Sequence, residues 1–191
     1  MSRARLTPYR QGQLDGLCGI YASINAIRLA LGDRGRRFTD EDWQHLFSTL
    51  LAAADDAIGA VRATACGMET KPLLTVVKSA VQHMADEHEL KVTVKRVLKR
   101  KERPPMREFL PRLGNLVEQP SSAVVIALAG ALDHWTVLRK VGRTSLELFD
   151  SSQFARVKIA NCRMSYEQPA SLSREHIIHP RAVLRVSVTE A

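Results

Sequence analysis

Apolar residues recur at helical spacing through the first half of the chain and alternate or run together through the second. Ile20, Ile24, Ile27 and Leu31 share one helix face, so a buried helix starts at or near Cys18. The preceding residues 11–17 are too rich in Gly and polar side chains for regular structure. After a loop over residues 32–37, Thr39 and Asp42 have the spacing of a capping box, with acidic residues in the first turn. Trp43, Leu46, Phe47, Leu50 and Leu51 then form the core stripe of a second helix. Residues 55–67, broken by Gly59 and Gly67, suit no single element. Pro72 fits a helix first turn, and Leu73, Val77, Ala80, Val81 and Met84 give that helix a buried face to about Glu87.

Val92, Val94 and Val97 predict a strand that leads into a basic loop and Pro104-Pro105. Residues 109–117 read as a short helical segment interrupted by Pro111 and Gly114. The wholly apolar run 123–129 predicts a central strand. It leads through Gly130 to a hairpin: a strand over 133–140, a turn at 142–144, and a partner strand over 145–149 that ends at Asp150. Residues 154–159 alternate as a further strand, 161–175 form a polar loop containing Cys162 and Pro169, and Leu184, Val186 and Val188 close the sheet. Helices first and strands later make the class α+β, a helical layer packed on an antiparallel sheet. The 191 residues suffice for one domain, 1–191, with a real core.

Composition narrows the setting. An apolar content of 45% and a charged content of 25% are those of a soluble globular chain. The longest uncharged apolar run, residues 123–132, is too short to span a membrane. The N-terminus is basic without an apolar segment behind it, so no secretory signal is expected. Three cysteines without paired spacing, Cys18, Cys66 and Cys162, fit a reducing, cytoplasmic setting. The net charge of +8 concentrates in residues 91–103, where seven Lys and Arg face one acid, Glu102. No helix-turn-helix, finger or RNA-binding signature accompanies this charge and aromatics are sparse, which disfavours nucleic acid. A solvated edge strand with a charged loop explains it, and a docking face for an acidic protein partner remains open. No Gly-rich phosphate loop calls for a cofactor. His83 with His88, and His176 with His179, lack the Cys or carboxylate that would complete a metal site.

The chemistry concentrates at Cys18. A thiol at a helix N-terminus faces unpaired backbone N–H groups and the positive end of the dipole, which favour the thiolate. Gln11 and Gln13 upstream could donate to an oxyanion forming beside the sulfur. A lone cysteine is more simply a packing residue, so the hairpin decides. It brings its outer ends together and makes His134 and Asp150 neighbours, supplying a base and an orienter for the nucleophile. Cys66 has no His or acid nearby in sequence and reads as packing.

The order Gln, Cys at a helix start, then His and Asp flanking a late hairpin resembles the papain-like cysteine peptidases. Gln13 to Cys18, Asn25 and His134-Trp135 resemble the Josephin-type deubiquitinases. Cys18-Gly19 and Asp150 resemble the peptidase domains of bacteriocin-exporting transporters, and Asp15 to Cys18 resembles the ovarian-tumour-type deubiquitinases, whose histidine lies nearer the chain end. The likeness covers about the first thirty residues and 123–152. It implies a papain-like fold, a Cys18–His134–Asp150 triad that cleaves a peptide or isopeptide bond, and an oxyanion hole from Gln13 and the Cys18 backbone N–H. Gln13 is favoured over Gln11 by the Josephin spacing, and Trp135 is either a shield for the histidine or a core residue. The implied substrate is a protein or peptide, acidic or ubiquitin-like. Acyl transfer and glutamine deamidation use the same residues, and a non-catalytic binding protein using residues 91–103 is the alternative of another class.

Overall fold

A computed structural model of the chain describes residues 6–168 and 175–190. Residues 1–5 of the basic N-terminus and Pro169 of the expected polar loop lie outside the described residues. The helices are α1 (Cys18–Leu31), α2 (Asp40–Ile58), α3 (Ala60–Cys66), α4 (Thr70–His88) and α5 (Met106–Glu118). The strands are β1 (Leu90–Arg96), β2 (Ser122–Gly130), β3 (His134–Val141), β4 (Ser145–Phe149), β5 (Arg156–Lys158), β6 (Cys162–Met164) and β7 (His176–Glu190). They form one sheet in the order β1-β7-β2-β3-β4-β5, antiparallel throughout, with β6 added parallel to β7. The protein is therefore α+β, with an N-terminal helical region and a C-terminal antiparallel sheet.

Helix α1 is buried along most of its length, with Ile20, Ile24, Ile27 and Leu31 all in the core. It packs against α2 and α4 on one side and against β2, β3 and β7 on the other. The capping box at Thr39 and Asp42 is formed in both directions, at 2.7 and 3.2 Å, and starts α2 where the sequence expects it. Strand β2 lies between β7 and β3 and is covered on both faces, which is why it is apolar without alternation.

Gly59 and Gly67 break the helical run as expected. Residues 55–67 are helical on both sides of Gly59: its φ of 84° ends α2, and the Asp55 side chain accepts the Ala60 N–H at 2.7 Å to start α3. Four other expectations are corrected. Helix α5 runs unbroken through Pro111, because Met106, Phe109 and Leu113 anchor it to the sheet face opposite α1. A second helical layer thus covers the face that the sequence leaves open. Part of the expected 161–175 loop is β6, while the expected strand 154–159 shortens to β5. The closing strand is also longer than Leu184–Val188 suggests: β7 passes through Pro180 because residues 179–182 bulge opposite Ala127 and need no ladder bond there. Among the described residues no helix is long and apolar enough to cross a membrane.

Candidate active site

The loop before α1 is held from two directions. Asp15 accepts the Gly12 N–H at 2.8 Å and the Leu17 N–H at 3.1 Å with its two carboxylate oxygens. Gly16 donates its N–H to the Thr64 carbonyl at 2.5 Å, pressing the loop against the end of α3. A Cβ at Gly16 would lie 2.7 Å from the backbone nitrogen of Gly67, so this approach needs glycine. Helix α1 then opens at Cys18, with Leu17 offering no side-chain cap. The first N–H groups of the helix are left beside the thiol.

The β2–β3 turn supplies the histidine. Asp133 has a φ of 45°, and its carboxylate accepts the Gly130 N–H at 2.9 Å, closing the turn immediately before His134. The β3–β4 register sets Phe149 opposite Val137, which brings the next residue, Asp150, back toward the start of β3. His134 Nε2 donates to Asp150 Oδ2 at 2.7 Å, with both side chains buried. The other Asp150 oxygen accepts the N–H groups of Ser152 at 2.8 Å and Phe154 at 3.1 Å. The Phe154 ring stands edge-on to the imidazole, 5.7 Å between centroids.

Burial alone would lower the His134 pKa, but hydrogen bonds to Asp150 and Cys18 and the charges on both override it and raise it to about 9. Burial alone would likewise raise Asp150, and the bond to His134 instead holds its carboxyl below the ordinary range. Because Asp150 occupies Nε2, the nitrogen left for Cys18 is Nδ1. Cys18, His134 and Asp150 are thus together, with the imidazole between the thiol and the carboxylate.

Gln11 and Gln13 part company. Gln11 donates its backbone N–H to the Ser151 carbonyl at 3.2 Å, accepts the Ser151 hydroxyl at 3.0 Å, and donates its amide to the Asp15 carbonyl at 3.3 Å. It ties the N-terminal arm to the Asp150 turn. Gln13 is exposed in the loop and does not line the cleft around Cys18. Asn25, buried in α1, carries the rest of the arm: its amide oxygen accepts the Tyr9 N–H at 2.7 Å and its amide nitrogen donates to the Tyr9 carbonyl at 3.0 Å. Arg28 adds a bond to the Thr7 carbonyl at 2.6 Å and covers the Tyr9 ring.

Cys18 and His134 line a cleft of about 1020 Å³. Trp135 forms part of its wall, pinned by an indole bond to the Met68 carbonyl at 2.7 Å. Cys66, expected to pack, is instead exposed and lines the same cleft. His179 lines it too, whereas His176 is turned inward with Nδ1 unpartnered. His83 stacks edge-on with His45 and His88, and Thr49 meets its Nδ1 at 3.3 Å. Among the described residues no group of three or more His, Cys, Asp or Glu is arranged to hold a metal ion. Phe154 and Met68 carry no sequence signal, because their roles depend on which distant backbone they meet. Comparison with protein-family models, curated proteins and solved structures finds no match.

Proposed function

We propose that the chain is a papain-like thiol hydrolase that cleaves a peptide or isopeptide bond in a protein substrate. The observation that carries this reading is the shared imidazole: one nitrogen of His134 on the buried Asp150 carboxylate, the other toward the Cys18 thiol at a helix start. The imidazole held between Asp150 and the thiol is placed to take the Cys18 proton as the sulfur attacks. The Cys18 sulfur attacks the carbonyl carbon, and the oxyanion is taken by the Cys18 backbone N–H and Gln13. Gln13 has this role by its Josephin-like spacing to Cys18, and its amide, exposed outside the cleft in the free chain, turns inward when substrate binds. His134 then gives its Nδ1 proton to the leaving amine as the C–N bond breaks, which leaves a thioester. Water loses a proton to the same nitrogen as it attacks the thioester, and the acid departs with the thiolate restored. Asp150 holds the ring orientation and the charge through both steps.

The test is cleavage of a proteome-derived peptide mixture, read by mass spectrometry. New termini that appear with the native chain and vanish with Cys18→Ala support hydrolysis. A Cys18→Ala digest indistinguishable from the native one removes the reading.

A further inference from the structure

Beside the catalytic cleft lies a second concavity of about 670 Å³, lined by Arg96, Lys99, Arg100, Arg103, His179 and Arg181 and, among the described residues, by no carboxylate. Arg96, His179 and Arg181 also line the cleft that holds Cys18 and His134, so the two spaces share a wall. The cations are exposed at the end of β1, on the following loop and on the β7 bulge. Glu102, the one acid of residues 91–103, does not line the concavity, and its charge is shared between Arg112 and Lys99. Its carboxylate accepts the Lys99 N–H at 3.0 Å and pairs with Arg112 at 3.1 Å, and these bonds hold its pKa below the usual range.

The loop is built rather than loose. Arg112 also holds the Val97 carbonyl, the Tyr166 hydroxyl holds the Pro104 carbonyl, and the Val97 N–H pairs with the Val183 carbonyl at 3.0 Å. Arg103 bonds the carbonyls of Arg100 at 3.0 Å and Glu102 at 2.8 Å, and lies over the Tyr166 ring. A bulged strand and a braced loop therefore hold in place the backbone that carries these cations. Left without an anion they repel one another, and a chain bearing several carboxylates relieves that repulsion.

Resting on the hydrolase reading, we propose that this cradle is a substrate subsite that binds an acidic segment of the polypeptide whose acyl group reaches Cys18. Acidic polypeptide is favoured over nucleic acid on two grounds. The thiol next door acts on acyl carbon, which a polypeptide supplies. Among the described residues no Trp or Phe lines the cradle, and Arg103 lies over the Tyr166 ring at 5.5 Å, so little stacking surface is offered to a base.

The test uses the full chain with two probes, a fluorescein-labelled glutamate hexamer and a glutamine hexamer, each also made with a bromoacetyl group. The glutamate peptide should bind in a salt-sensitive way, and Lys99→Ser with Arg100→Ser and Arg181→Ser should weaken it by at least about tenfold. The bromoacetyl glutamate peptide should alkylate Cys18, sulfur displacing bromide, faster than the glutamine peptide, and the triple variant should erase that advantage. Should the change at Arg181 disturb β7, the Lys99→Ser, Arg100→Ser double variant shows the same loss in smaller measure. Equal binding by native and variant chains overturns the proposal, as does binding without faster Cys18 alkylation. So does tighter binding of a single-stranded oligonucleotide of equal charge, which would make the cradle a nucleic-acid site. Failure of the hydrolase reading is distinguishable: alkylation of Cys18 by neutral chloroacetamide would then be unchanged by His134→Ala, whatever the peptides do.

Discussion

Asp150 Oδ2 and His134 Nε2 lie 2.7 Å apart with both side chains buried, and the pair ties stability to pH. The folded His134 pKa, about 9, stands above its ordinary 6.5, so the stability it contributes is complete below about pH 6.5 and lost as pH rises through about 9. Asp150 is shifted the other way: its contribution is present above its ordinary value of 3.8 and lost as pH falls through the lower folded value. Denaturant unfolding of the native chain should therefore show an alkaline decline on the order of 2–3 kcal/mol between pH 6.5 and 9. His134→Ala should flatten that limb. Parallel alkaline limbs for the two chains would show that the pair is not the source.

The three thiols should react in a fixed order. Burial pushes the Cys162 thiol up to about 12, and its Sγ donates to the Lys158 carbonyl at 3.4 Å. Cys66 is exposed at the end of α3 and serves as an internal standard for an accessible thiol. Cys18 is buried but faces the cleft with His134 beside it. After brief iodoacetamide treatment at mildly acidic pH, labelling should run Cys18, then Cys66, then Cys162, because Cys18 has the His134 imidazole beside it to take its proton. His134→Ala should drop Cys18 below Cys66. An order led by Cys66 in the native chain would argue against an activated nucleophile.

The neighbourhood of His134 and Asp150 is legible in the sequence because a hairpin is a local object: two strands and a short turn determine which ends meet. The helix start at Cys18 is legible for a similar reason, since Ile20, Ile24, Ile27 and Leu31 mark the face and the Gly-rich run marks the boundary. What brings these two parts together is not local. Gly16 against Gly67, Trp135 on the Met68 carbonyl, and Asn25 on the Tyr9 backbone join segments whose proximity no periodicity encodes. The helix α5 and the β7 bulge are hidden for the opposite reason. Pro111 and Pro180 signal interruption locally, and tertiary packing outweighs that signal.

Asn25 should prove structural rather than catalytic. It replaces a strand partner for Tyr9, satisfying one N–H and one carbonyl from inside α1. Asn25→Ala leaves both backbone groups unpaired and should cost about 2–3 kcal/mol. The arm should also loosen locally, so trypsin should cut after the exposed Arg10 several times faster than in the native chain at temperatures well below unfolding. An unchanged cutting rate at Arg10 would mean that Arg28 and Gln11 hold the arm without Asn25.

The oxyanion role separates Gln13 from Gln11. An oxyanion donor acts when charge develops on the carbonyl oxygen, so removing it slows acyl transfer and spares steps that develop no such charge. Gln13→Ala should lower kcat about 100-fold on a peptide that the native chain cleaves, with KM little changed. Iodoacetamide alkylation of Cys18 should keep its native rate, because displacement of iodide forms no oxyanion. Gln11→Ala should behave differently: it removes the acceptor of the Ser151 hydroxyl beside Asp150, so it should lower the melting temperature and affect turnover mainly through that loss. Gln13 is exposed in the free chain, so the proposed role requires its amide to turn toward the cleft when substrate binds. Stabilising the fold elsewhere would then rescue Gln11→Ala and leave Gln13→Ala impaired. If Gln13→Ala turns over at the native rate while Gln11→Ala is slow at full stability, the donor is Gln11 and the loop reorganises more than its bonds to Ser151 suggest.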